Sequence, residues 1–176
     1  MEKLMLHACC APCATHVVKV LREKYEVIVY FYNPNIHPEE EYHLRMKNMI
    51  KLAELYDFPL IIGDYDVELW FERIKGFEKE KEGGERCKLC FELRLEKTAK
   101  LAKELGMPIF ATTLTISPHK NAEVINSIGK KIAKKYSIKF FEADFKKKNG
   151  FKKSVEESKR LNLYRQNYCG CIFSKR

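Results

Sequence analysis

The 176-residue chain is long enough to bury a proper core, and its 45% apolar and 32% charged content excludes a disordered or fibrous protein. No apolar run approaches a membrane span, and the apolar stretch after Met1 is too short for a signal peptide, so a cytoplasmic protein is expected. The net charge of +9 is unevenly placed: residues 1–129 carry 18 Lys+Arg and 20 Asp+Glu, whereas residues 130–176 carry 15 and 4.

A one-sided positive field suits a polyanion, nucleic acid above all. The plainer reading is a solvated lysine-rich surface, since Lys and Glu supply 45 residues against one Gln, as in hyperthermophile proteins. That bias should add Glu along with Lys. In the last quarter it does not, which favours nucleic acid.

In chain order, residues 4–8 read as a buried strand running into C-C-A-P-C, and Pro12 with residues 15–23 as a helix. Residues 27–32, V-I-V-Y-F-Y, are the clearest strand, closed by the Asn33-Pro34-Asn35 turn. A helix over 38–56 opens on three glutamates, a short strand covers 60–62 and a helix 67–75. Residues 76–85 are a polar loop, then a helix spans 89–105 with C-K-L-C at its head. A strand over 109–113, a helix over 121–136 and a strand over 139–142 follow. A basic loop at 145–150, a helix over 152–161 and an irregular tail from 163 complete the chain.

Alternating strands and helices predict one doubly wound, mainly parallel α/β domain over residues 1–176, with 130–176 as a basic flank. Ligands of such sheets gather beyond the carboxyl ends of the strands. C-C-A-P-C lies there, and Asn33–His37, Asp64–Asp66 and Thr112–His119 could share its mouth.

All seven cysteines fall in three motifs: Cys9, Cys10 and Cys13; Cys87 and Cys90; Cys169 and Cys171. A reducing compartment argues against a disulfide framework. The first two motifs offer five thiolates where a zinc ion or iron–sulfur cluster needs four. The surplus ligand and the adjacent pair weaken a structural zinc site, so the order is iron–sulfur cluster, zinc, then a Cys10–Cys13 dithiol. C-G-C is open between a redox pair, a stabilising disulfide and two free thiols.

Five motifs in order carry a resemblance: H-A-C-C-A-P-C; N-P-N-I-H-P with E-Y-x-x-R ending at Arg45; R-C-K-L-C; T-T-L-T-I-S-P-H-K-N; and Y-C-G-C. Over essentially the whole chain they resemble the QueH family of epoxyqueuosine reductases. The resemblance implies a fold related to adenine-nucleotide α-hydrolases (HUP folds). It implies a [4Fe-4S] cluster on Cys9, Cys10, Cys87 and Cys90, a further mononuclear iron beside it, and Cys13 near the substrate or that iron. It implies a disulfide between Cys169 and Cys171. It implies the last step of queuosine biosynthesis, the loss of the epoxide oxygen from epoxyqueuosine in the tRNA anticodon loop, without cobalamin.

Such a deoxygenation needs two electrons from an unidentified donor and two protons. Candidate proton donors are Asp64, His37, His119 and Tyr42, each with a plain structural alternative as cap, turn or core residue. His7, inside the first strand, reads as a buried and satisfied histidine. Lys146, Lys147, Lys148, Lys152 and Lys153 are expected on tRNA phosphates, with Lys130, Lys131, Lys134 and Lys135 on the preceding helix. Tyr164, Arg165, Gln166, Asn167 and Tyr168 suit an unstacked base. The rival from another class is a zinc-stabilised RNA-binding module without chemistry. An ATP-using relative would need a Ser/Gly-rich phosphate loop where C-C-A-P-C stands.

Overall fold

The computed structural model describes residues 1–175. Five strands, β1 (Lys3–His7), β2 (Glu26–Phe31), β3 (Leu60–Ile62), β4 (Ile109–Thr112) and β5 (Lys139–Phe140), form one sheet in the order β3-β2-β1-β4-β5. Every pairing is parallel. The chain winds outward from β1 to β3, then returns to start again at β4. The reversal leaves a crevice at the carboxyl ends of β1 and β4, where ligands of doubly wound sheets bind.

Side chains alternate across the strands, so each strand feeds two cores. Leu4, Leu6, Val27, Val29, Phe31, Ile109 and Ala111 pack on one face with helices α1 (Ala11–Arg22) and α2 (Glu39–Tyr56). Met5, Ile28, Tyr30, Tyr32 and Phe110 pack on the other. That face is covered by α3 (Val67–Arg73), α4 (Glu85–Glu104) and α5 (Ala122–Tyr136). Burial on both faces is why these strands are continuous apolar runs. The last helix, α6 (Gly150–Arg160), lies against α1.

Local chemistry sets the boundaries. Asn121 caps α5 by accepting from the N–H groups of Glu123 and Val124 at 2.9 and 3.3 Å. Gly84 is the residue before α4, which begins four residues earlier than the pattern predicts. Cys87, expected just ahead of the helix, therefore lies with Cys90 within its first two turns. The strand predicted over 139–142 pairs only through Lys139 and Phe140. The tail is not wholly irregular, since Ile172–Ser174 forms a 3-10 turn.

Gly150 joins the basic loop to α6, and a Cβ there would sit 1.7 Å from the Phe145 carbonyl oxygen. That obstacle is backbone, which no rotamer change relieves. Gly150→Ala should lower the unfolding free energy by about 1–3 kcal/mol, read as an earlier urea midpoint with an unchanged slope.

Candidate active site

The site begins where β1 ends. His7 is fully buried. Its Nδ1 meets Thr112 Oγ1 at 3.0 Å, and its Nε2 meets the Tyr32 carbonyl at 3.1 Å and Asn33 Oδ1 at 3.2 Å. Both Nε2 partners are acceptors, so Nε2 carries a proton, and in the neutral ring Nδ1 accepts from the Thr112 hydroxyl. The Asn33 amide nitrogen donates to the Ala8 carbonyl at 2.9 Å. The ends of β1, β2 and β4 are thereby tied together, and Cys9 emerges from the knot.

The Sγ atoms of Cys9, Cys10 and Cys13 lie within 4.8 Å of one another, as the ligands of one metal site would. Cys9 Sγ is 3.4 Å from Thr113 Oγ1. Hydrogen bonds from Cys10 and Cys13 hold the Cys9 thiol well below its ordinary pKa, and Cys13 is pushed well above it by the same contacts. One thiolate stabilised by two neighbouring thiols is a ready first ligand, and a binding metal would displace the remaining thiol protons. Gln166 Nε2 donates to Cys10 Sγ at 2.9 Å.

Cys87 and Cys90 face a cavity of about 100 Å³ that is also lined by Cys169, Cys171, Arg86, Arg94 and Lys120. Burial pushes the Cys90 thiol up to about 11. A wider cavity of about 270 Å³ adjoins it, lined by Cys9, Cys13, Ser117, His119, Phe151 and Arg165 among others. Glu82, Arg94, His119, Lys120 and Cys169 line both. Six of the seven cysteines thus line two adjoining cavities.

All seven cysteines are free thiols, Cys169 and Cys171 among them. Cys171 Sγ donates to Ser174 Oγ at 3.3 Å. The intervening Gly170 has φ +141°, and a Cβ there would meet Arg45 and Ile36 at 3.1 Å. Only glycine suits that position.

Several expected groups turn out to be structural. His37 accepts from the Ile172 N–H at 3.2 Å and donates to the Pro34 carbonyl at 3.0 Å, so both ring nitrogens are engaged and it holds the tail. Tyr42 is buried and stacks on Tyr65 with ring centroids 4.0 Å apart. Asp64 is exposed and lines neither cavity. The Tyr164 hydroxyl is bound to Glu41 at 2.7 Å, and the Tyr168 hydroxyl donates to the His37 carbonyl. Tyr168 still lines the wider cavity, with its ring under Arg45. Lys146 turns inward, donating to the Thr115 and Lys120 carbonyls at 2.8 and 3.1 Å, because an ammonium satisfies this loop's orphan carbonyls. Lys147, Lys148, Lys152 and Lys153 are exposed. His119 remains on the cavity wall.

Arg94, Lys120 and Glu82 were not anticipated as site residues. Arg94 had a signal: Cys87, Cys90 and Arg94 share one face of a helix at i, i+3 and i+7.

A family description reading "Epoxyqueuosine reductase QueH" matches residues 4–176. The chain belongs to the QueH family. A family member from Acinetobacter baylyi is 44% identical over 99% of this chain and 81% of its own length. The Thermotoga maritima member is 39% identical over 99% of this chain and 91% of its own. Among solved structures, the U34-tRNA thiolase NcsA of Methanococcus maripaludis, with its [4Fe-4S] cluster, is similar in fold. It has a TM-score of 0.63 at 15% identity, over 99% of this chain and 62% of that one. A predicted tRNA methyltransferase subunit from Methanocaldococcus jannaschii has a TM-score of 0.61 at 13% identity, over 89% and 76% of the two chains. The QueH assignment agrees with the motif order, and the fold likeness with the doubly wound reading.

Burial, with Arg94 adding to it, lowers the pKa of His7 from 6.5 to about 4. The lowered value places the stability contribution above pH 6.5, and it is lost as pH falls toward 4. The metal-free protein should lose up to about 3 kcal/mol over that window. His7→Gln should remove this part of the pH slope in urea titrations at pH 7 and pH 4.5.

Proposed function

We propose that this chain is an epoxyqueuosine reductase that removes the epoxide oxygen from epoxyqueuosine in a tRNA anticodon loop, leaving the cyclopentene of queuosine. Two electrons and two protons enter, the C–O bonds break, and water leaves. The observation that carries this reading is the convergence of six cysteines on two adjoining cavities at the sheet crevice, in a chain that matches the family over residues 4–176.

An iron–sulfur cluster fits the donors present. The site offers clustered thiols, and Nε and Nη2 of Arg86 and Nη2 of Arg94 are buried without hydrogen-bond partners among the described residues at the cavity lined by Cys87 and Cys90. Anionic sulfur is the acceptor such groups need. Cys9, Cys10, Cys87 and Cys90 would hold a [4Fe-4S] cluster, which supplies electrons one at a time. Cys13 stands on the wall of the wider cavity, on the substrate side or beside a second mononuclear iron. Cys169 and Cys171 are a redox pair next to the cluster ligands, fed by an electron donor outside the chain.

The wider cavity takes the modified nucleoside. Lys120 keeps its proton: burial opposes the charge, but negative sulfur around it, Cys169 first and then Cys9, outweighs it. Its ammonium stabilises negative charge on the departing oxygen. Lys120 and His119 stand where a proton can be passed to that oxygen. Arg165, Gln166 and Asn167, on the same wall, offer edge hydrogen bonds to an unstacked base. The exposed lysines of residues 130–176, in one α/β unit with the site, dock the phosphate backbone, and the enzyme works in the cytoplasm where tRNA is modified.

Anaerobically reconstituted protein should hold iron and acid-labile sulfide, in equal amounts for the cluster alone and with iron in excess where the second iron is bound, and absorb broadly in the visible. With a chemical reductant it should convert epoxyqueuosine in tRNA to a product lighter by one oxygen, read by nucleoside mass spectrometry. A colourless protein holding zinc would sink this reading and leave the RNA-binding module. Separately, Lys147→Glu with Lys148→Glu should weaken tRNA binding and reduce the salt slope by about one per lysine on phosphate. An unchanged slope would move the tRNA surface elsewhere.

A further inference from the structure

Two arginines lie deeper than a surface charge has reason to. Arg86 and Arg94 are each 1% exposed, and both line the cavity of Cys87, Cys90, Cys169 and Cys171. Arg86 donates through Nη1 to the carbonyls of Phe77, Glu78 and Glu80, while its Nε and Nη2 have no hydrogen-bond partner among the described residues. Arg94 reaches the Cys90 carbonyl and Asn33 Oδ1 only at 3.4 Å each, and its Nη2 has none among the described residues. Their flat faces lie over the rings of Phe173 and Phe91. Ring contact does not satisfy the in-plane N–H edges. Three guanidinium nitrogens therefore stand buried and unanswered beside four thiols.

A buried cation without an anion is costly, and a protein retains one where a guest completes it. Arg94 is the more telling of the two because it borders both cavities. Cys90, Cys169 and Cys171 share the narrower cavity with it, and Cys9 and Cys13 the wider one, so its guanidinium stands between all three cysteine motifs. A fixed positive charge there favours each added electron and raises the potential of a centre held by those sulfurs.

We propose that Arg94 is the positioning cation of the redox centre: with Arg86 beside it, it completes the charge of the sulfur-bound group and sets its reduction potential. The proposal rests on the iron–sulfur reading above. Arg94 acts through the centre, without itself transferring a proton or an electron.

The test compares wild type, Arg94→Met and Arg94→Lys as full chains, reconstituted anaerobically. Iron content, midpoint potential by spectroelectrochemical titration, and melting with and without iron are measured. Arg94→Met should move the potential negative by at least a tenfold change in the reduction equilibrium, about 59 mV for one electron. Arg94→Lys, which keeps the charge, should stay within that margin. Melting distinguishes a purely structural arginine. Relieved of an unanswered charge, iron-free Arg94→Met should melt at or above wild type, and its iron-loaded form should melt below. An unchanged potential in loaded Arg94→Met, or an earlier melt of its iron-free form, overturns the proposal. If Arg94→Met takes up no iron, Arg94→Lys must restore both uptake and potential, and its failure also overturns it. Wild type that takes up no iron refutes the iron–sulfur reading instead. The iron-free melts then still decide whether Arg94 is merely structural.

Discussion

The site depends on a small polar knot at the carboxyl ends of three strands. His7, Thr112 and Asn33 belong to the ends of β1, β4 and the turn after β2, and their side chains bind one another or the neighbouring backbone. Arg94 on α4 reaches the same Asn33 oxygen. A fully buried histidine is tolerable only if both ring nitrogens are engaged, and here one accepts while the other donates. That requirement fixes the relative positions of three segments, β1, β4 and the turn after β2. Cys9 follows the knot by two residues and Thr113 by one, so the knot places the first thiol against β4 before any metal is involved.

Charge is arranged in layers around this point. The innermost layer is thiol sulfur, the next is cationic, with Arg94, Arg86 and Lys120 on the cavity walls. The outermost is the lysine field of the last quarter of the chain. Inner cations sit in a low-dielectric setting where one charge strongly affects a neighbour, while the exposed lysines act through a screened and salt-dependent field. The two groups therefore serve different ends, although a count of basic residues merges them. Lys146 marks the boundary: it lies within the basic loop but is consumed by the Thr115 and Lys120 carbonyls.

The sheet was legible because it is buried on both faces, which forces β1, β2 and β4 to be apolar runs. The cysteine motifs were legible because thiols cluster in sequence where they cluster in space. What was missed was long-range. Nothing local shows that the His37 ring nitrogens are taken by Pro34 and by Ile172, far along the chain. Nor does the aromatic–polar run 164–168 reveal that two of its hydroxyls face inward to Glu41 and His37. Aromatic residues with a polar tip suit a base or a core equally well, and the choice is made by partners distant in sequence. Arg94 escaped because arginine on a helix is ordinarily solvent-facing, and only its phase with Cys87 and Cys90 places it inside.

The tail shows why those structural assignments still matter to function. Arg45, only 2% exposed, donates to the carbonyls of Cys169 and Tyr168 at 2.8 and 3.1 Å, while its Nε is held by Glu41 at 3.0 Å. His37 accepts at Ile172, and its own N–H donates to the Gly170 carbonyl at 2.7 Å. These bonds span more than a hundred residues of chain and end on the C-G-C segment. Cys169 and Cys171 wall the narrower cavity and Arg165 to Cys169 the wider one, so neither cavity is closed until the tail has docked. Groups first sought as proton donors and base readers are thus the clamp that seats the third cysteine motif. Asn33, at the centre of the knot, and His37, in the clamp, belong to the same turn after β2. One short segment therefore controls both the first thiols and the last.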